Sequence, residues 1–267
     1  MNGNGHGGTD AGRDVSRYVR VDLREGDEGH MVGRAPASAH LRGVHGGVRA
    51  GALLTLLDNV GGICAGLAAL PDGWVVSTNL AARMVPLLHA GPLRVDAEVL
   101  RRGRNNVVTA VRMHDEGARD TLVADGVLTS AILVPANGPP EHPRPLVLDA
   151  GPPPSSLLPL DEWLGVRDVD AGTVEIDLGD ELRNPWGILH GGVVATLVDL
   201  AAEHATSGIT TDAVLHFLAP NRIGPVQASA RALGARPDGQ VCRVEVRDEG
   251  AQRVTAVAVA TTTTATA

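Results

Sequence analysis

The sequence predicts an α+β protein made of two copies of one unit, each a long buried helix wrapped by a mainly antiparallel sheet. Three observations carry this. The chain repeats internally, each copy has one glycine-opened apolar helix followed by four β-type runs, and a proline-dense segment separates the copies.

The repeat comes first because it decides the architecture. Shifted by 141 positions, residues 41–58 lie on 182–199 without a gap. Leu41, Arg42, Gly46, Gly51, Thr55, Leu56 and Asp58 then meet Leu182, Arg183, Gly187, Gly192, Thr196, Leu197 and Asp199. Further on the offset is 133: Asp115-Glu116-Gly117-Ala118 recurs as Asp248-Glu249-Gly250-Ala251, and Gly91-Pro92 as Gly224-Pro225. The drift is expected in a longer loop of the first copy, around Leu70-Pro71-Asp72-Gly73.

Within each copy the same plan follows. Hairpin-like runs are expected at 17–24 with 30–37, and at 166–170 with 173–178. Helices are expected over 48–70 and 189–207; Ala52-Leu53-Leu54-Thr55-Leu56-Leu57 is apolar nearly all the way round, as in a helix buried on most sides. Strands are expected over 74–85, 92–101, 106–114 and 121–134, and again over 209–219, 225–234, 240–247 and 252–264, with the Asp-Glu-Gly pairs as hairpin turns. The proline density of 135–159 forbids helix and interior strand, so it reads as an extended linker long enough to let the copies pack side by side. The expected division is a disordered tail 1–16, domains 17–134 and 160–267, and the linker between them.

Composition narrows the function. Of 267 residues 43% are hydrophobic but only 2% aromatic, leaving few platforms for stacking bases, and the net charge of −8 disfavours non-specific binding to nucleic acid or anionic membrane. No run of about 18 apolar residues suggests a membrane span. Cys64 and Cys242 show no metal spacing and read as buried free thiols; with a polar, glycine-rich start the expected location is the cytoplasm. Neither metal spacing nor a G-x-S-x-G turn is present.

The chemistry concentrates where the second helix begins, at Asn184-Pro185-Trp186-Gly187-Ile188-Leu189-His190-Gly191-Gly192. Glycines at a helix N-terminus let a ligand reach unpaired amides, with the helix dipole aimed at developing negative charge. Asp58 and Asp199 lie inside apolar helices, where an unpaired carboxylate is costly. Gly191 and Asp199 are eight residues apart, about 12 Å along the axis, so one carbonyl cannot meet both. If both act, each works with the other copy's partner group.

The pattern Asn-x-x-Gly-x-x-His-Gly-Gly, with Asp nine after the His, resembles the hotdog-fold acyl-CoA thioesterases of the phenylacetate-pathway type. The resemblance is closer over 165–267 than over 17–134, and it implies two hotdog folds fused as a pseudo-dimer. It implies that Asn184, His190 and Gly191 bind and polarise the thioester, with Gly192 beside them. Asp58 from the other copy would be the nucleophile or the base that activates water. The converse site would use Asp199 and Thr210, but Gly43, Arg49 and Ala50 replace its Asn, His and first Gly, so one competent site is expected. The strand position matching Thr210 is Val76, with Ser77 and Thr78 adjacent. Arg49, Arg83, Arg102 and Arg104 are candidates for the phosphates of coenzyme A, which enters as part of the substrate and not as a cofactor; Arg222 is a further one.

The substrate implied is an acyl-CoA or an acyl carrier protein thioester, and the scarcity of aromatics hints at an aliphatic acyl group. Two other readings stay open: a non-catalytic acyl-thioester-binding double hotdog, and a hotdog hydratase or dehydratase, whose motif spacing differs. The halves should pack as a pseudo-twofold pair with antiparallel helices and continuous sheets, and double hotdogs could pair further into a homo-oligomer.

Overall fold

The computed structural model describes residues 14–27, 29–85, 89–136, 138–142, 144–151 and 157–263; most of the expected tail lies outside these. In chain order the elements are α1 (Val15–Val19), β1 (Asp22–Glu25), β2 (His30–Ala35), α2 (Ala50–Ala69), β3 (Trp74–Met84), β4 (Leu93–Arg102), β5 (Asn106–Asp115) and β6 (Thr121–Leu133). There follow β7 (Val147–Leu148), α3 (Leu160–Leu164), β8 (Arg167–Asp170), β9 (Thr173–Ile176), α4 (Gly191–Thr206), β10 (Ile209–Phe217), β11 (Val226–Arg236), β12 (Gly239–Asp248) and β13 (Arg253–Thr263).

The strands form one sheet in the order β7-β1-β2-β4-β5-β6-β3-β10-β13-β12-β11-β9-β8, every neighbouring pair antiparallel. The copies meet at β3 and β10. There Ala81 pairs with Val214, two positions separated by the same 133 residues that relate Gly91-Pro92 to Gly224-Pro225. The pseudo-twofold axis therefore passes through this pair. It passes also between Thr55 and Thr196, whose hydroxyls lie 3.1 Å apart where α2 crosses α4. The helices run antiparallel: Gly51 lies against Asp199, and Gly191 against Asp58.

Continuous apolar surface explains the helices. Leu53, Leu54, Leu56, Leu57 and Val60 of α2 are fully buried, as are Leu197, Val198 and Leu200 of α4, in one core that spans both halves. Each such leucine contributes about 1.5–3 kcal/mol relative to exposure. α2 is also long and apolar enough to cross a membrane, contrary to the sequence expectation; its residues are instead consumed by the sheet and by α4.

Two local expectations need correction, and two more gain detail. Residues 17–19, expected in a strand, and 15–16, expected in the tail, are helical: Asp14 caps the Arg17 amide, and Val15, Tyr18 and Val19 bury one face at helical spacing. The drift between copies sits only partly in the 70–73 loop, because α2 runs 20 residues and α4 only 16, an extra helical turn. Within the linker, Val147–Leu148 adds a short edge strand beside β1. The Asp-Glu-Gly segments are more than turns. Asp115 also accepts the amides of Ala90 and Gly91, and Asp248 those of Arg222, Ile223 and Gly224, so each pins the Gly-Pro loop of its own copy.

Candidate active site

A cavity of about 900 Å³ opens where the first copy's α2 and β3 face the start of α4. Asp58, Ser77, Asn184, His190 and Gly191 all line it, as does the connecting segment through His142 and Leu146. Asp58 is 5% exposed. Its Oδ1 accepts a hydrogen bond from Ser77 Oγ, and its Oδ2 lies 3.7 Å from His190 Nδ1. A Cβ on Gly191 would sit 2.8 Å from Oδ2, so only glycine lets the helix start rest on the carboxylate.

His190 is the N-cap of α4, and its Nδ1 accepts the Gly192 amide at 3.0 Å. That bond fixes the tautomer with the proton on Nε2, which has no partner among the described residues. Burial holds the imidazole pKa below its ordinary value, against the pull of Asp58, so the ring is neutral. Asn184 spends its side-chain oxygen on the Trp186 amide at 2.9 Å, leaving its NH₂ without a partner among the described residues. Trp186 in turn donates from its indole to Val75 O, fastening this loop to the other copy's strand. The Gly191 amide also has no acceptor among the described residues. Among the described residues, the cavity thus gathers one carboxylate oxygen with no hydrogen-bond donor and three donors without acceptors.

The pseudo-equivalent location is built differently because α2 begins with Arg49. Arginine has no acceptor with which to cap a helix, so Asp199 Oδ2 takes the Gly51 amide at 2.8 Å instead. Arg49 turns to Glu203, 2.9 Å away and largely buried. Burial raises the carboxyl pKa of Asp199, and burial with the nearby Asp199 pushes Glu203 up to about 8. Thr210, 1% exposed, faces Asp199 without forming a good hydrogen bond.

Of the remaining sequence candidates, Gly192, Arg83, Arg102 and Arg104 lie outside the cavity. Gly192 packs under Thr55 at the helix crossing. Arg83 is 87% exposed and pairs with Asp212 across the β3–β10 seam at 3.2 Å. Arg102 pairs with Asp72 and donates to Ala68 O, and Arg104 is exposed in the β4–β5 turn. Arg222 does line the cavity, at its solvent side.

Ser77, not Val76, is the counterpart of Thr210. A bulge follows each residue, at Thr78 in β3 and Thr211 in β10, and the two positions share the 133-residue offset. Sequence reasoning also missed Asn59, Trp74, Trp186 and Asn221 in the wall. In a chain with three tryptophans, Trp74 and Trp186 were the available signal.

Residues 44–121 match the model of the thioesterase superfamily. That stretch holds Asp58, although the Asn-to-Gly motif sits in the other copy. A 1,4-dihydroxy-2-naphthoyl-CoA hydrolase of Listeria monocytogenes is 28% identical over 102 residues, spanning 34% of this chain and 83% of that protein. A Thermobifida fusca structure designated thioesterase II superposes with TM-score 0.62 at 18% identity, covering 92% of this chain and 98% of that one. The 12:0-ACP thioesterase of Umbellularia californica gives 0.59 at 9% identity, covering 87% and 93%. These superpositions show the hotdog fold, carried twice along one chain.

Proposed function

We propose that this chain, a tandem hotdog whose residues 44–121 match the thioesterase superfamily, hydrolyses an acyl-CoA thioester at one site shared by its two halves. One observation carries the reading: Asp58 of the first half keeps an uncommitted carboxylate oxygen against the Gly191 amide and His190 of the second. Asp199 also has one oxygen, Oδ1, without a hydrogen-bond partner among the described residues, but its Oδ2 caps α2 at Gly51 and the residue is fully buried away from the cavity.

Bound there, the thioester carbonyl takes the Gly191 amide, with the helix dipole behind it, and Asn184 and His190 Nε2–H supply further donors. Two routes share these atoms. In one, Asp58 Oδ2 takes a proton from water, hydroxide adds to the carbonyl carbon, and the C–S bond breaks as the proton passes to the thiolate. In the other, Oδ2 itself adds to the carbonyl, the thiolate leaves, and water opens the resulting anhydride. Arg222, exposed and lining the cavity, would meet a phosphate of the carrier. Acyl carrier protein would present the same thioester. The buried free thiols Cys64 and Cys242 suit a reducing cytoplasm.

Single-turnover hydrolysis in ¹⁸O-water tests the routes: label in Asp58 assigns the anhydride opened at the aspartyl carbon, whereas label confined to the product acid assigns attack of water at the acyl carbon, and trapping of an Asp58 hydroxamate by hydroxylamine then separates the anhydride from direct attack. Wild-type activity in the double variant Asp58→Ala with Asp199→Ala would place the chemistry elsewhere and contradict both.

A further inference from the structure

The cavity is chemically asymmetric about Asp58. Its lining includes Arg183 and Arg222 on the side of the Asn184 loop, and Ile63 of α2 and Trp74 of β3 on the side of the first copy. Two independent counts give the distance from the Asp58–Ser77 pair to Trp74. Gly66 packs on the six-membered ring of Trp74, where a Cβ would come within 2.6 Å, and it lies eight residues beyond Asp58, about 12 Å along the helix. Along β3, Trp74 lies three residues from Ser77, about 10 Å in an extended strand. His142 of the connecting segment covers the indole from another side, ring centroids 5.2 Å apart. The wall is thus fixed by a helix glycine and by the linker, not by a mobile side chain alone.

The geometry points to Trp74 as a ruler for the acyl group, making the substrate class a straight, medium-chain acyl thioester. An arm of roughly 10–12 Å holds about eight to ten carbons at the advance per bond of a staggered chain. The carrier's charged end leaves by the Arg222 side, where, among the described residues, the only cavity-lining arginines, Arg183 and Arg222, lie. This rests on the reading of Asp58 as the reacting group.

The test is kcat/KM of the full chain across straight acyl-CoAs from butanoyl to hexadecanoyl. Activity should peak near octanoyl or decanoyl and drop about tenfold or more by tetradecanoyl. Trp74→Leu should raise the tetradecanoyl-to-octanoyl ratio about tenfold, and His142→Ala should move it the same way. Ile63→Phe, which narrows the arm from α2, should lower it. A ratio reports the pocket's depth and is unmoved by a general loss of folded enzyme. Unchanged ratios in all three variants, or a flat wild-type profile, would overturn the ruler. Asp58→Asn on the same panel keeps the two claims apart: an inactive Asp58→Asn with unchanged ratios removes the ruler alone, and an active one removes the site assignment on which it rests.

Discussion

Ser77 Oγ donates to Asp58 Oδ1 at 2.6 Å, so the carboxylate presents its other oxygen to the Gly191 end of α4. Ser77→Ala should lower kcat by roughly tenfold to a hundredfold, the worth of a hydrogen bond to a charged group, with a smaller change in KM. Ser77→Thr, the residue of the other copy, should restore most of the loss. Steady-state kinetics with both variants checks this.

Two adjacent glycines should fail in different ways. A Cβ at Gly191 meets the Asp58 carboxylate at 2.8 Å, whereas one at Gly192 meets Thr55 Cα, also at 2.8 Å. Gly191→Ala should cost at least about a hundredfold in kcat while moving the urea midpoint little. Gly192→Ala forces the helix crossing apart and should destabilise by about 1–3 kcal/mol. Paired denaturation and kinetic measurements separate the two.

His190 caps α4 and also offers Nε2–H to the cavity, and asparagine can take over only the first task. His190→Asn should keep the melting temperature near wild type and lose about a hundredfold in kcat. Burial depresses the imidazole pKa, so below its ordinary 6.5 the unfolded chain binds a proton that the folded chain does not. Wild-type stability should therefore fall with pH below 6.5, and His190→Asn should flatten that slope.

At the other end of the helix pair, the Glu203 carboxyl is raised from 4.5 to about 8. Its contribution to stability is full below pH 4.5 and is lost as pH rises through 8. Glu203→Gln keeps a neutral partner for Arg49 and removes a like charge beside Asp199. Its melting temperature should decline less than wild type between about pH 5 and 8.

Much of this was legible because it is periodic or local. The repeat, the two apolar helices and the eight long strands announce themselves through spacing, and the His-Gly-Gly start with an intrahelical Asp marked the site. α1 was not legible, since five residues rich in valine show no helical preference until Tyr18 and Val19 find a core. Ser77 was misread although the 133-residue offset of the Gly-Pro and Asp-Glu-Gly pairs carries Thr210 onto it; the drift between copies is already complete at this position, which only the strand pairing and the matching bulges reveal. The far wall of the cavity escaped because a proline-rich linker has no period that predicts where His142 settles.

The account's central claim is that the halves share one working site and that Asp58 operates it. The most direct measurement is kcat for Asp58→Asn and Asp199→Asn on one acyl-CoA, with folding checked by melting temperature. Asp58→Asn should lose about a thousandfold or more. Asp199→Asn should keep activity within a few-fold of wild type, with any loss appearing as stability, because that side chain holds the Gly51 amide. The reverse ranking, with Asp199→Asn inactive and Asp58→Asn active, would contradict the account and move the site to the Arg49 end.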